Sequence, residues 1–192
     1  MGSPQTTRRM VSELAEQDSA KATTLAYTIT DPWYRCQSLA YAASSIKDSR
    51  KQKTVLNDSF KATLDADGPN RIVTVSAWPL SVLVTIKDFH RLDVELDRLL
   101  QLITTEPHPT RRCDAVFCLL NRAQQAPRTS VAKIVDALIS HCLAGHGWKR
   151  DRDLRDAAAI LKHVGFADYA IRCVEIIENT RVRRQAQRIL AG

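Results

Sequence analysis

The chain has 192 residues, of which 44% are hydrophobic, and its formal net charge is +7. A chain of this length can bury one sizeable core, and it contains no run of about twenty apolar residues that would span a membrane. Only six glycines and few strand-like runs argue against a β or α/β fold, so the composition predicts an all-α protein.

Met1-Gly2-Ser3 is typical of a cloning remnant, and it also fits a loose Met-Gly-x-x-x-Thr acylation pattern through Thr6. We favour the cloning remnant and predict a disordered tag over residues 1–9. Residues 10–192 are predicted to form a single domain.

The two helices of the first predicted pair are joined by a turn at Asp31-Pro32. The helix before it carries apolar residues at helical spacing, at Ala22, Leu25, Ala26 and Ile29. Asp31 is a good N-cap for the second helix, and Pro32 suits its first position, where the missing N–H costs nothing. The sequence therefore predicts a helix, a short turn and a second helix.

This arrangement recurs along the chain. Arginines of matching context stand at intervals of 36, 41, 38 and 33 residues, at Arg35, Arg71, Arg112, Arg150 and Arg183. The residues four, seven, eight and eleven positions after Arg35, Arg112 and Arg150 are all apolar, which places them on one helix face. A period in this range is the mark of a helical repeat array.

The second and last repeats depart from the pattern. Residues 71–86 have strand-like valines, but they lie in the repeat register and are predicted to be helical, with Pro79 kinking or splitting that helix. The repeat that begins at Arg183 is short and more polar, as an end cap would be.

The turn and second helix of the first pair, Asp31-Pro32-x-x-Arg35-x-x-x-Leu39-Ala40, resemble the HEAT repeat. The resemblance covers roughly residues 10–192 and is best over 30–46. Residues 165–191 are also similar to degenerate helical repeats of bacterial regulatory and signalling proteins. The fourth repeat departs from the family, since Gly145-His146-Gly147 replaces the Asp-Pro turn. The resemblance implies a right-handed α-solenoid of about five antiparallel helix pairs that provides a scaffold or binding surface.

The sequence contains no catalytic constellation, and no cofactor or metal is predicted. Its five cysteines have no paired spacing and sit in helical patterns, which is typical of small buried residues in a reduced, cytoplasmic protein. His141, Cys142 and His146 form one irregular cluster rather than the two close ligand pairs that zinc sites favour, so structural or solvent-exposed roles are preferred for them.

Basic residues and tryptophans are the candidate binding residues. The candidates are Trp33, Arg35, Arg112, Trp148, Arg150, Arg181, Arg184 and Arg188. A basic stripe would attract an acidic protein surface or nucleic acid phosphates. Two structural alternatives stay open: the recurrent arginines pair with turn aspartates, and Asp151, Asp153 and Asp156 neutralise the cluster around Arg150. The tryptophans form either an aromatic ladder or packing contacts.

Two functions follow from these observations. The first is a non-catalytic protein-interaction or scaffold module, either alone or as a fragment of a larger regulatory protein, with another protein as its partner. The alternative is a nucleic-acid-binding HEAT-like protein, and in its enzymatic form a DNA base-excision glycosylase. Trp33, Trp148, Asp31, Arg35 and Arg150 supply the residue types that such an enzyme uses. A membrane is not among the predicted partners.

Overall fold

A computed structural model describes residues 3–191, and those residues form eleven α-helices and no strand. The predicted all-α class is therefore confirmed. The chain divides into two compact units, one ending at Leu92 and one beginning at Asp93, where the sequence predicted a single domain over residues 10–192. The division falls inside one helix, which has its first residues in one unit and its remainder in the other.

The first unit contains five complete helices and the start of a sixth. They are α1 (Pro4–Ala15), α2 (Ser19–Tyr27), α3 (Pro32–Ser45), α4 (Ser49–Leu64), α5 (Gly68–Thr85) and the first residues of α6 (Phe89–Ile103). Helix α3 contacts α1, α2, α4 and α5, and it is the most buried of them, with Leu39 and Ala42 fully enclosed.

The second unit contains the rest of α6 and five further helices. They are α7 (Pro109–Ala123), α8 (Arg128–Leu143), α9 (Trp148–His163), α10 (Ala167–Glu175) and α11 (Thr180–Ala191). Helix α9 contacts α7, α10 and α11.

Polar contacts between helices of the second unit recur at the predicted repeat period. Lys133 donates to Asp97 and Arg172 to Asp136, each pair 36 residues apart, and Lys149 donates to Asp114 across 35 residues. These contacts join α6 to α8, α8 to α10 and α7 to α9.

Helix α1 corrects the expectation of disorder over residues 1–9. Residues 4–9 are helical, because Ser3 accepts a capping bond from the Thr6 backbone N–H at 3.2 Å and Pro4 occupies the first position. Val11 and Ala15 are buried and anchor this helix, which also contacts α2 and α3. Met1 and Gly2, on which the cloning-remnant and acylation readings rest, lie outside the described residues.

Helix α5 runs unbroken through Pro79, so the expected split is absent. Proline has no N–H, which leaves the carbonyl of Val75 without its helical partner. The Cys36 thiol of α3 fills this position, donating to the Val75 carbonyl with an S–O distance of 3.5 Å, and Ser59 donates to the Cys36 carbonyl at 2.8 Å. A side chain from a neighbouring helix thus satisfies the group that the proline leaves free.

The turn aspartates differ in what they do. Asp31 Oδ1 accepts from the Tyr34 backbone N–H at 3.0 Å, whereas Asp67 makes no side-chain capping bond to α5. Asp67 instead lies 3.7 Å from Arg71, in an exposed ion pair.

This contrast gives a matched pair of substitutions. We expect Asp31→Ala to lower the free energy of unfolding by about 1 kcal/mol, the usual cost of losing an N-cap. Asp67→Ala removes only a surface ion pair and is expected to cost less than about 0.5 kcal/mol. Urea unfolding followed by circular dichroism measures both, and equal losses would contradict a specific capping role for Asp31.

Candidate functional site

Three of the recurrent arginines bond to the ends of the preceding helices. Arg112 Nη1 donates to the Glu106 carbonyl at 2.9 Å, just after α6 ends, and Arg183 Nε donates to the Ile177 carbonyl at 2.7 Å, just after α10. Both carbonyls belong to the turn beyond the helix, and an arginine in the first turn of the next helix supplies a donor to each. The recurrence of arginine at these positions therefore has a structural cause.

Arg150 is the most enclosed of these arginines, with 1% of its surface exposed. It donates to the Gly145 carbonyl after α8 at 2.9 Å and to the Ile176 carbonyl after α10 at 2.8 Å. Its charge is balanced by Asp151 at 2.8 Å and Glu178 at 3.0 Å. As a candidate surface-binding residue Arg150 is a wrong assignment, because its donors are directed inward to the helix ends.

Asp151 extends the Arg150 network to the turn between α10 and α11. Its carboxylate accepts from the backbone N–H of Asn179 at 2.7 Å and of Glu178 at 3.3 Å. Arg150 is therefore paired with an aspartate of its own helix, whereas the expected pairing of a recurrent arginine with a turn aspartate occurs at Arg71 and Asp67.

Trp33 packs inside the first unit. Its ring meets that of Trp78 edge to face, with centroids 6.4 Å apart, and the Arg71 guanidinium lies 5.6 Å from its centroid. It also packs against a buried cluster of Cys36, Ala62 and Val75. Arg35 is half-buried, two residues further along the same helix. Trp33 therefore serves packing.

Trp148 differs from Trp33, since 63% of its surface is exposed. The Arg152 guanidinium lies over its ring, 5.0 Å from the centroid. The two tryptophans have different environments, so they are not equivalent members of a ladder. Arg152 was not among the predicted site residues, although its position four residues after Trp148 places both on one helix face.

Two of the three acidic residues of α9 face the interior. Asp151 is 3% exposed and Asp153 is 7% exposed, whereas Asp156 is half-exposed and is engaged by Arg155 at 2.6 Å. Asp151 and Asp156 thus neutralise Arg150 and Arg155, as the second structural alternative expected. None of the three pairs with Arg152, which lies outside on the same helix.

Helix α11 carries an exposed row of arginines and no acidic residue. Arg181, Arg184 and Arg188 lie on one face, and no ion pair involves them within residues 3–191. Together with Thr180 and Gln185 they line a shallow groove of about 330 Å³.

Helices α9 and α11 run side by side in the same direction. Arg155 Nη1 donates to Gln185 Oε1 at 3.2 Å, and Lys162 Nζ donates to the Ile189 carbonyl at 2.7 Å. Arg152 and Arg181 each lie about one turn before the first of these contacts, which puts them at the same level. The resulting surface is called the basic face below and consists of Trp148, Arg152, Arg181, Arg184 and Arg188.

A second group of charges lies between α7 and α9. Burial raises the pKa of Asp153 to about 7, and the hydrogen bond and negative charge of Asp114 act in the same direction, while Lys149 opposes them. The pair therefore keeps a proton at pH values at which an ordinary aspartate has released it. Sequence reasoning missed the pair because the two residues stand 39 positions apart.

The five cysteines are free, and all but the half-buried Cys118 are buried. Burial raises the pKa of Cys36 and of Cys173 to about 12, which disfavours the thiolate that a nucleophile requires. Burial, together with the charge of Arg112, lowers the pKa of His141. Over residues 3–191 no three or more His, Cys, Asp or Glu side chains are grouped closely enough to hold a metal ion.

The Arg150 network predicts a large effect on stability. We expect Arg150→Met to cost about 3–5 kcal/mol, because it leaves the buried carboxylate of Asp151 without its cation and the carbonyls of Gly145 and Ile176 without the donors that Arg150 supplies. Arg152→Met changes an exposed residue of the same helix and should alter stability by less than about 0.5 kcal/mol. Urea unfolding of both variants is the measurement, and a wild-type midpoint for Arg150→Met would contradict the proposed role of the network.

The raised pKa of Asp153 predicts a pH dependence. Between the ordinary value of 3.8 and about 7, the folded protein holds a proton that the unfolded chain has released. The contribution of Asp153 to stability is therefore greatest at low pH, falls as pH rises through this window and levels off above it.

Asp153→Asn should remove the loss of stability at rising pH, because the amide can still donate to Asp114 and carries no charge. We expect the variant to be more stable than the wild type at pH 8 and to show a smaller difference in urea midpoint between pH 5 and pH 8. Asp65→Asn, which changes an exposed aspartate of the other unit, is the control. Parallel pH profiles of Asp153→Asn and the wild type would disprove the assignment.

Comparisons with known proteins give information on the fold and none on the function. No family model and no curated protein matches the chain. The crystal structure of Ton1535 from Thermococcus onnurineus NA1 is similar, with a TM-score of 0.51 and 11% sequence identity over 100% of this chain and 83% of that chain. At this identity the likeness concerns the helical architecture. None of the helices within residues 3–191 is both long and apolar enough to cross a bilayer.

Proposed function

We propose that this chain is a non-catalytic protein-interaction module built from HEAT-like repeats, in which helix pairs stack as a right-handed α-solenoid of about five pairs. The recurrent arginines at helix ends support this proposal, as do the contacts between residues 35 and 36 positions apart in the second unit. Each of these contacts joins equivalent positions of neighbouring helix pairs, as repeat stacking requires.

The basic face is the proposed binding surface, and its unpaired arginines carry the proposal. Other cations of the second unit are engaged within the chain: Lys133 with Asp97, Arg172 with Asp136 and Arg128 with Asp168. Arg181, Arg184 and Arg188 are not engaged in this way and are exposed on one side of one helix. Exposed arginine is a frequent hot-spot residue at protein interfaces, and here it would meet carboxylates of an acidic segment.

The size of the basic face favours a protein over nucleic acid. Arg181 and Arg188 are separated by about 10 Å along the helix axis, and the face offers four arginines in all, fewer than the 6–10 phosphate contacts of strongly salt-dependent DNA binders. Stacking of single-stranded bases requires open aromatic faces, and Arg152 already covers one face of Trp148.

Duplex DNA is the second candidate, because four arginines could still contact a phosphate backbone. Base excision is not part of this candidate. Asp31 is engaged as an N-cap, Arg150 is enclosed by helix ends, and Trp33 packs against Trp78. These three residues are therefore not available to hold an extruded base.

Fluorescence anisotropy tests both candidates with a labelled polyglutamate peptide and labelled duplex DNA. We expect the peptide to bind the wild type and the combined variant Arg181→Gln, Arg184→Gln and Arg188→Gln to bind at least tenfold more weakly. The control variant Arg9→Gln, Lys53→Gln and Lys61→Gln loses the same charge from exposed positions on α1 and α4 and should bind as the wild type does.

The dependence on salt separates the partners. If all four arginines of the face contact phosphates, duplex affinity should fall roughly 100-fold between about 50 and 200 mM salt. The combined Arg181, Arg184 and Arg188 to glutamine variant is called the α11 variant. If the wild type binds duplex DNA tightly with this dependence on salt and the α11 variant does not, DNA rather than a protein is the partner. Equal losses in the α11 variant and the control variant would show that net charge, rather than the basic face, causes binding.

A further inference from the structure

A groove of about 560 Å³ lies in the first unit, between the start of α2 and the start of α4. One side is formed by Ser19, Ala20 and Thr23 of α2. The other side is formed by residues 46–48 of the turn after α3 and by Arg50, Lys51, Thr54 and Val55 of α4. We call it the α2–α4 groove. Its volume falls in the range of pockets that take a few side chains.

The lining of the groove includes three apolar side chains. Ala20, the half-buried Ile46 and the buried Val55 contribute methyl groups. The two threonine hydroxyls are satisfied elsewhere: Thr23 donates to the Ser19 carbonyl at 2.7 Å and Thr54 to the Arg50 carbonyl at 3.1 Å. These hydroxyls therefore need no partner from a molecule in the groove, and an apolar side chain could enter without leaving them unpaired.

The groove is held in shape by bonds around it. Gln52 Nε2 donates to the carbonyls of Ala43 and Ile46, at 3.0 and 3.1 Å, which fixes the turn that carries Ile46. Tyr27 donates to Asp58 at 2.7 Å and joins α2 to α4 beyond the groove. A preformed groove loses less freedom when it binds a ligand.

Three cations stand at the rim. Lys47, Arg50 and Lys51 are exposed, and none takes part in an ion pair within the described chain. The nearest acid, Asp48, is engaged as the N-cap of α4 and accepts from the Lys51 backbone N–H at 2.8 Å. Cations in the first turn of a helix oppose its dipole, so an anion bound here would offset an unfavourable arrangement.

We propose that the α2–α4 groove docks a short acidic peptide segment of a partner protein. One aliphatic side chain of that segment lies against Ala20, Ile46 and Val55, and its carboxylates pair with Lys47, Arg50 and Lys51. A ligand that matches the groove must therefore carry both an apolar side chain and carboxylates. This site goes beyond the basic face, since it uses other residues in the other unit and does not depend on binding there.

The test uses the whole chain and two labelled peptides. One contains glutamates around a central pair of leucines, and the other replaces the leucines by glycines at equal charge. We expect the leucine peptide to bind at least tenfold more tightly than the glycine peptide. It should also shift the backbone amide resonances of residues 19–23 and 46–55 in a proton–nitrogen correlation spectrum.

Two variants examine the two features of the groove separately. The rim variant, which combines Lys47→Gln, Arg50→Gln and Lys51→Gln, should bind the leucine peptide at least tenfold more weakly than the wild type. Ala20→Phe should weaken binding as much, because it fills the groove without changing the charge. The controls are the combined Arg9, Lys53 and Lys61 to glutamine variant and Ala167→Phe, a substitution of an exposed alanine at the start of α10. Both controls should bind as the wild type does.

Several outcomes would overturn the proposal. Equal binding of the two peptides, or full binding to Ala20→Phe, would show that charge alone attracts the ligand. Stronger binding of duplex DNA or of phosphatidylserine vesicles, lost in the rim variant, would assign the rim to a nucleic acid or a lipid surface. Self-association abolished by Ala20→Phe would make a second copy the occupant. The α11 variant should leave leucine-peptide binding intact, so failure at one site is distinguishable from failure at the other.

Discussion

Arginines in the first turns of α7, α9 and α11 donate to backbone carbonyls of the turns that precede these helices, and these bonds tie the turns of the second unit to the helices that follow them. Arg112 and Arg183 supply the bond while half-buried. Arg150 supplies it from a fully enclosed position, where a lone charge would be prohibitive, and it therefore has Asp151 and Glu178 beside it.

The local rules of helix formation could be read from the sequence, and packing across helices could not. The N-cap at Asp31 and the apolar face after Arg35 depend on neighbouring residues, so they predicted α3 correctly. The continuity of α5 through Pro79 depends on a thiol 43 positions earlier in the chain, at Cys36, which no periodicity detects. Likewise α1 has too few apolar residues for a clear pattern, and contacts with α2 and α3 support it.

The candidate site could be predicted from the sequence only where charges of one sign are grouped in one helix. Helix α11 has four arginines and no acid, so its basic character is evident from the sequence alone. Helix α9 alternates acids and bases, and only the structure reveals that Asp151 and Asp153 lie inside while Arg152 lies outside. The inward role of Arg150 and the packing role of Trp33 are set by residues distant in sequence, such as Ile176 and Trp78.

The lysines and arginines of this chain therefore have two roles, one in ion pairs between helices and one on exposed surfaces. Those engaged across helices, such as Lys133 and Arg172, join neighbouring helix pairs, and each exposed pair contributes little. Two groups of exposed cations that form no ion pair within residues 3–191 lie on α11 and at the rim of the α2–α4 groove. The basic face offers charge without an enclosed apolar surface, and charge alone attracts many polyanions. The groove adds shape and apolar contact to charge, and a ligand must match all three. Selectivity among acidic partners would therefore arise in the first unit, while the basic face would raise the rate at which acidic partners are encountered.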